Sequence, residues 1–364
     1  MRVRAAVLRR VGEPLDVTEL DLAPPGDGEL LVRVRAAGLC HSDLSVIDGS
    51  RPRPTPMALG HEAAGEVVES RAEGFAPGDH VVLAFVPVCG TCGPCRAGRG
   101  ALCEPGAAAN TAGTLLGGER RWSEGGVPVH HHLGVSAFAE HIVVSARSAV
   151  RVDADLPWEL AALFGCAVLT GVGAVVNAAG VQAGQSVAVF GLGGVGQAAL
   201  LGAVLAGAGT IIAVDRVAGK LELARELGAT HVVDAGAEDP VAAVRAATGG
   251  GPDHAVETVG SAAVLAQAYA ATRRGGTTVT VGLPHPEQQL AIPAVSLTAE
   301  ERTLKGSYLG TCIPERDIPR FIELHRAGRL PVERLLSHTL TLDELDEGFA
   351  RLARGEAVRQ VVLL

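Results

Sequence analysis

The sequence predicts an α/β protein of two domains, the first rich in β-strands and the second built on a parallel sheet. Three observations carry this. At 364 residues the chain can bury about two cores, at roughly 150 residues for each. In the first half, short strand-like runs such as Leu30 to Ala36 and Gly65 to Glu69 are separated by turns such as Pro24-Pro25-Gly26 and Pro77-Gly78-Asp79. From about Gln185, apolar strands alternate with Ala/Leu helices: Val187 to Phe190, Val195 to Ala206, Thr210 to Val214, Lys220 to Leu227. The alternation continues through His231 to Asp234, Val241 to Ala247, Ala255 to Thr258 and Thr277 to Val281, the pattern of parallel strands joined by helices.

Composition narrows the class. A formal net charge of -9 argues against nucleic acid or an anionic membrane as partner, because neither polyanion attracts an acidic surface. A small molecule is the expected ligand. Met1 to Arg10 alternates charge with apolar residues and lacks the unbroken apolar stretch of an export signal, so a cytoplasmic location is expected. The apolar tracts Leu160 to Val181 and Ser186 to Val214 are broken by glycines and read as core, not as membrane spans. Seven cysteines in a reducing compartment point to metal or catalysis rather than disulfides.

The first functional motif is Gly191-Leu192-Gly193-Gly194-Val195-Gly196, a G-x-G-x-x-G directly after a strand and at the mouth of a helix. Such glycines let the backbone approach a pyrophosphate, which sits on free N–H groups at the positive end of the helix. The next strand ends in Asp215, about 20 residues on, where an acid is expected to accept from a ribose 2′-OH. That carboxylate favours NAD and would repel the 2′-phosphate of NADP, although the neighbouring Arg216 is suited to receive one.

Cys89, Cys92, Cys95 and Cys103 form C-x2-C-x2-C-x7-C in a Gly/Pro-rich loop. Four thiolates complete the tetrahedral shell of zinc and mark a structural site; an iron–sulfur cluster and a nucleic-acid-binding zinc ribbon are the alternatives. A second set, Cys40 in Cys40-His41-Ser42-Asp43, His61 in Gly60-His61-Glu62, and Cys166 in Gly165-Cys166, is too dispersed for spacing to join. Cys312 reads as a buried apolar cysteine.

Together these motifs, with Thr170-Gly171, Lys305-Gly306 and Arg359, resemble the zinc-dependent medium-chain alcohol dehydrogenases, near the glutathione-dependent formaldehyde dehydrogenases. The resemblance implies a GroES-like β-barrel catalytic domain over residues 1–167, completed by 310–364, and a doubly wound Rossmann domain over 168–309. It implies two zinc ions per chain. Cys40, His61 and Cys166 would hold the catalytic one, with water, alcohol or Glu62 in the fourth position, and Cys89, Cys92, Cys95 and Cys103 the structural one. Asp43 would orient His61, and Ser42 would pass the alcohol proton toward the coenzyme ribose. Relatives often end that relay in a histidine where this chain has Ser45. His41 and Arg359 match pyrophosphate contacts, Asp215 and Lys220 match ribose contacts, and Thr170 matches a nicotinamide neighbour.

Phe85, Tyr308 and His132 match walls of the family's apolar substrate slot. His132, in the run His130-His131-His132, stands where relatives often carry an aromatic. The expected substrates are small alcohols or aldehydes, and the long segment Glu104 to His132 resembles that of homodimeric members. A thiol-adduct formaldehyde dehydrogenase and an enzyme whose NAD(H) never leaves are the rival readings. The glutathione-dependent relatives carry acidic residues ahead of Gly-His-Glu, whereas this chain has Ser50-Arg51-Pro52-Arg53.

Overall fold

The computed structural model describes residues 1–364, which divide into two compact units. The first comprises Met1–Cys166, Ile313–Ile322 and Leu336–Leu364; the second comprises Ala167–Cys312 and Glu323–Leu335.

In the first unit, β1 (Arg2–Leu8), β2 (Asp16–Leu22), β3 (Glu29–Gly38), β4 (Met57–Ala58), β5 (Glu62–Ser70) and β6 (His80–Leu83) are followed by β7 (Trp122–Glu124), β8 (Val127–His131), β9 (His141–Ser145) and β10 (Ala149–Val152). Strands β1, β2, β7, β8 and β4 close into a barrel. Once the two C-terminal strands of this unit are counted, a second sheet runs β10-β6-β5-β3-β18-β17, with β9 also paired to β3. Here β17 is Leu336–Leu340 and β18 is Arg359–Leu363, so the end of the chain lies against β3, Val361 opposite Gly38. Closing the barrel satisfies edges that would otherwise leave unpaired backbone groups. Its core is a continuous apolar cluster in which Trp122 and Phe138 are fully buried.

The second unit holds six parallel strands in the order β13-β12-β11-β14-β15-β16, where β11 is Ser186–Phe190, β12 Thr210–Asp215, β13 His231–Asp234, β14 His254–Glu257, β15 Thr277–Thr280 and β16 Thr303–Gly306. Counted from β11 this is 3-2-1-4-5-6, the doubly wound Rossmann arrangement. Residues Val187 to Phe190 are all buried, as a strand covered by helices on both faces requires. The apolar tract from Leu160 is interrupted at Cys166, and no single helix is long and apolar enough to cross a membrane.

The unusual histidine run straddles the end of β8. Its rings diverge: His130 Nδ1 accepts from Arg120 Nε at 3.1 Å, and His131 Nε2 accepts from the Arg121 N–H at 3.0 Å. His132 turns the other way, toward Asp43. The three therefore do not share one ion. Burial, reinforced by the charges of Arg120 and Arg121, pushes the His131 imidazole down to about 3. An unfolded histidine binds a proton below about pH 6.5, whereas the native His131 does not until about pH 3. Unfolding therefore takes up a proton in that window, and stability is full above pH 6.5 and falls by up to about 1.4 kcal/mol per pH unit below it. Urea unfolding between pH 5 and 7 should show this slope. In His131→Gln, whose amide oxygen can accept the Arg121 N–H without titrating, the slope should be smaller by about one proton.

Candidate metal centres and coenzyme turn

Cys40 follows β3 and caps the helix His41–Ile47 with extended backbone, φ -133° and ψ 153°. One turn into that helix, Asp43 is completely buried. Gly60 precedes His61 with φ +93°, and a Cβ there would lie 2.6 Å from the Phe138 nitrogen, so only glycine brings this bend against the barrel wall. Its N–H donates to Asp43 Oδ1 at 3.1 Å. His61 Nδ1 lies 3.0 Å from Asp43 Oδ2, which holds the ring with Nε2 on the opposite side. Cys166 sits at the break between the short helix Ala162–Gly165 and the helix that starts at Ala167.

These elements bring together Cys40, His61, Glu62 and Cys166, each offering one ligand atom within 4.8 Å of the others. All are at most 7% exposed. His61 Nε2 and Glu62 Oε1 are 3.7 Å apart, and neither has a hydrogen-bond partner. Two thiols, an imidazole and a carboxylate with unsatisfied buried atoms aimed at one point are the donor set of a zinc site open for chemistry. In the bare protein the thiols share a proton. Cys166 donates to Cys40, which drops Cys40 well below the usual thiol range, and the same bond together with burial pushes Cys166 well above it. Burial opposes charge on His61, but Asp43 and the Cys40 thiolate raise it well above its ordinary value.

Behind this cluster Arg359 is 3% exposed; its guanidinium donates to a Glu62 carboxylate oxygen and, at 3.1 Å, to the Leu39 carbonyl. Burial pushes Glu62 up to about 7 against the pull of Arg359. The resemblance placed Arg359 on the coenzyme pyrophosphate, whereas its bonds here go to Glu62 and Leu39. The signal available in the sequence was an arginine inside the apolar run Ala357 to Leu364, which demands a buried counter-charge.

His132 also differs from its expected place as a slot wall. It is 1% exposed, and its Nδ1 lies 2.9 Å from Asp43 Oδ1. Phe85 packs edge-on against His61 at 5.4 Å between centroids. Ser42 is half-buried and His41 exposed on the same helix, while the Ser45 hydroxyl donates to the His41 carbonyl at 2.8 Å. Arg51 and Arg53 are half-buried, and the charge of Arg53 reaches His132.

The four cysteines of the loop also converge, their sulfurs within 4.8 Å of one another. Cys89 Sγ accepts from the N–H groups of Thr91 at 3.4 Å and Cys92 at 3.3 Å, and Cys103 Sγ accepts from those of Cys89 at 3.2 Å and Gly106 at 3.4 Å. Bonds from Thr91 and Cys92 bring the Cys89 thiol down to about 6, while burial and the neighbouring cysteines push Cys95 up to about 12. Thiols this close cannot all ionise without a cation among them. No disulfide is formed.

In the second unit Gly191 turns the chain out of β11 with φ +91°, and a Cβ on Gly196 would lie 1.8 Å from the Gly191 oxygen. Gly193 caps the helix Gly194–Leu205 with no side-chain bond, which leaves its first N–H groups for an anion. Asp215 Oδ2 accepts from the Leu192 N–H at 2.7 Å, and Oδ1 accepts from Arg216 and Val217 at 2.7 and 3.0 Å. The acid thus ties the glycine turn to the end of β12 and keeps about one of four acceptor positions. Val195 is half-buried in the first turn, Lys220 half-buried on the helix Ala218–Glu226, Thr170 buried on Ala167–Gly173, and Tyr308 half-buried just before Leu309.

Residues 26–154 match the family model "Alcohol dehydrogenase GroES-like domain", and residues 194–326 match "Zinc-binding dehydrogenase". The chain is 40% identical to an NDMA-dependent alcohol dehydrogenase of Amycolatopsis methanolica, over 100% of this chain and 99% of that one. It is 38% identical to an S-(hydroxymethyl)glutathione dehydrogenase of Escherichia coli over 100% of both. It superimposes on the crystal structure of benzyl alcohol dehydrogenase from Acinetobacter calcoaceticus with a TM-score of 0.95 at 33% identity, covering 100% of this chain and 99% of that one.

The Glu62–Arg359 pair yields a direct expectation. Removing one partner strands a buried charge, so Arg359→Met should lower unfolding free energy by about 3–5 kcal/mol in chemical denaturation. The double variant Glu62→Gln/Arg359→Met should recover most of that loss.

Proposed function

The chain belongs to the zinc-binding alcohol dehydrogenase family, and on that premise we propose that it interconverts primary aromatic or medium-chain alcohols and their aldehydes, with NAD as hydride carrier. The observation that carries this reading is the convergence of Cys40, His61, Glu62 and Cys166 in a buried cluster with unpartnered donor atoms. Zinc there supplies a Lewis acid for the alcohol oxygen, and NAD supplies the hydride acceptor.

The chain's own residues do the rest. Cys40, His61 and Cys166 hold the metal; Asp43 fixes the His61 tautomer, so that Nε2 keeps its lone pair. Glu62, tied to Arg359, offers its other oxygen to the fourth position. Ser42 takes the hydroxyl proton of the alcohol and passes it outward. Ser45 does not end that relay, since its hydroxyl is spent on the His41 carbonyl, and solvent receives the proton. The glycine turn Gly191-Leu192-Gly193-Gly194-Val195-Gly196 would cradle the pyrophosphate, and His41 would offer it a donor. Asp215 and Lys220 would bind the adenosine ribose, and Thr170 would contact the nicotinamide. Phe85 and Tyr308 would each offer the substrate an aromatic face.

Cys89, Cys92, Cys95 and Cys103 hold a second, closed zinc that stabilises their loop. The working assembly is a homodimer. Exposed Leu283, Val295 at 72% exposure and Leu297 lie in the segment before the edge strand β16, where a second copy would cover them.

A thiol-adduct formaldehyde dehydrogenase is the second reading, favoured by the S-(hydroxymethyl)glutathione dehydrogenase relative. Arg51 and Arg53 weigh against it, because they replace the acidic residues that would meet the glutathione amine. In a third arrangement NAD(H) would stay bound and a second substrate would recycle it.

Metal analysis should give two zinc ions per chain. Cys166→Ser should retain the loop zinc and its fold yet lose turnover, whereas Cys92→Ser should lose thermal stability first; a single ion in the wild type would contradict the assignment. In a substrate panel, benzyl alcohol or hexanol should exceed S-hydroxymethylglutathione in kcat/KM by about tenfold or more, the worth of one misplaced charge. NAD should likewise exceed NADP. The reverse order in the first comparison would install the second reading, and in the second would overturn the role of Asp215.

A further inference from the structure

We propose that His132 is a positioning residue for the zinc ligand His61, acting through Asp43, so that one buried carboxylate orients two imidazoles. The inference rests on the catalytic-zinc reading above and concerns a residue that the resemblance treats only as a wall of the substrate slot.

Asp43 is completely buried, and its two oxygens face two imidazoles and a backbone amide. Oδ2 lies 3.0 Å from His61 Nδ1, while Oδ1 lies 2.9 Å from His132 Nδ1 and accepts the Gly60 N–H at 3.1 Å. Close approaches on both oxygens, with the Gly60 N–H donating to Oδ1, fix the plane of the carboxylate, and that plane sets the direction in which His61 presents Nε2. Without His132, Oδ1 keeps only the Gly60 amide, and the carboxylate can rock about its own axis. The His132 ring also meets His61 at right angles, 5.6 Å between centroids, as Phe85 does at 5.4 Å. His61 is thus held by Asp43 across a 3.0 Å approach and by two rings through edge contacts.

The charges agree with this arrangement. Burial, with the charges of His61 and Arg53, outweighs the pull of Asp43 and keeps His132 below the ordinary imidazole range. The two imidazoles in turn hold Asp43 below the usual carboxylate range against the cost of burial. A ring nitrogen 2.9 Å from Oδ1 steadies the carboxylate from the side opposite His61. A phenylalanine would fill the same space and make the ring contact, but it would leave Oδ1 without this nitrogen.

The test separates donor from filler. Asparagine carries an N–H at about the reach of Nδ1, so His132→Asn should keep the positioning that His132→Phe and His132→Leu lose. Each holoprotein is challenged with a chromogenic zinc chelator, and the release rates of the two zinc ions are followed, the four-cysteine ion serving as internal control for folding. Partners that orient a ligand are typically worth about 10–100-fold in metal affinity. Release from the Cys40–His61–Cys166 site should therefore be about 10–100-fold faster in the Phe and Leu variants and within about threefold of wild type in His132→Asn. Phe and Leu variants that release zinc at the wild-type rate overturn the proposal, as does an Asn variant as leaky as they are. A wild-type protein with no zinc beyond the four-cysteine ion overturns the underlying zinc reading instead, and this inference with it.

Discussion

The constraint on which the first unit depends is the cost of burying charge. Cys40, Asp43, His61, Glu62, Cys166 and Arg359 are each at most 7% exposed in a unit whose core is a large apolar cluster. Transfer of even one such charge into an apolar interior without compensation costs several kcal/mol. Every local feature of the site follows from meeting that demand. Asp43 takes two imidazoles and an amide, Glu62 takes the guanidinium of Arg359, and the atoms left over, His61 Nε2, Glu62 Oε1 and the two sulfurs, converge where a divalent cation would complete the balance. The fold serves the same end. Because β18 pairs with β3, a residue near the C-terminus neutralises a carboxylate 297 positions earlier in the chain.

How much of this the sequence disclosed depended on distance along the chain. The glycine turn was legible because strand, turn, helix and acid are contiguous, and the Gly196 packing and the bond from Leu192 to Asp215 both act within 24 residues. The four-cysteine loop was legible for the same reason. The second ligand set was joined by resemblance alone, since nothing in the spacing of Cys40, His61 and Cys166 tells that β3, β5 and the break after Gly165 meet. Two polar residues were assigned outward-facing roles and proved to have inward partners. Arg359 was placed on a pyrophosphate and engages Glu62; His132 was placed on a slot wall and engages Asp43. Both sit beside strands whose periodicity says which face is buried but not which charge waits there.

The two cysteine-containing clusters would put similar ligands to different uses. In the cysteine loop all four donors are sulfur, each accepting hydrogen bonds or sharing protons with its neighbours, so that a bound ion has no vacant direction and contributes to folding. In the other cluster a carboxylate stands beside two thiols and an imidazole, already tied by one oxygen to Arg359. That difference in the fourth donor, rather than in the number of sulfurs, separates a staple from a site for chemistry. Around that cluster the positive charge of Arg53 acts on His132, and Phe85 packs edge-on against His61.

The central claim is that the Cys40–His61–Cys166 cluster binds zinc in a shell distinct from that of the cysteine loop. Zinc K-edge X-ray absorption on the loaded protein tests it most directly, because scattering by sulfur at about 2.3 Å and by nitrogen or oxygen at about 2.0–2.1 Å can be resolved. The account predicts an average over two ions of about three sulfurs and one lighter atom, with outer-shell scattering from an imidazole ring. A pure four-sulfur shell with no imidazole signature would contradict it.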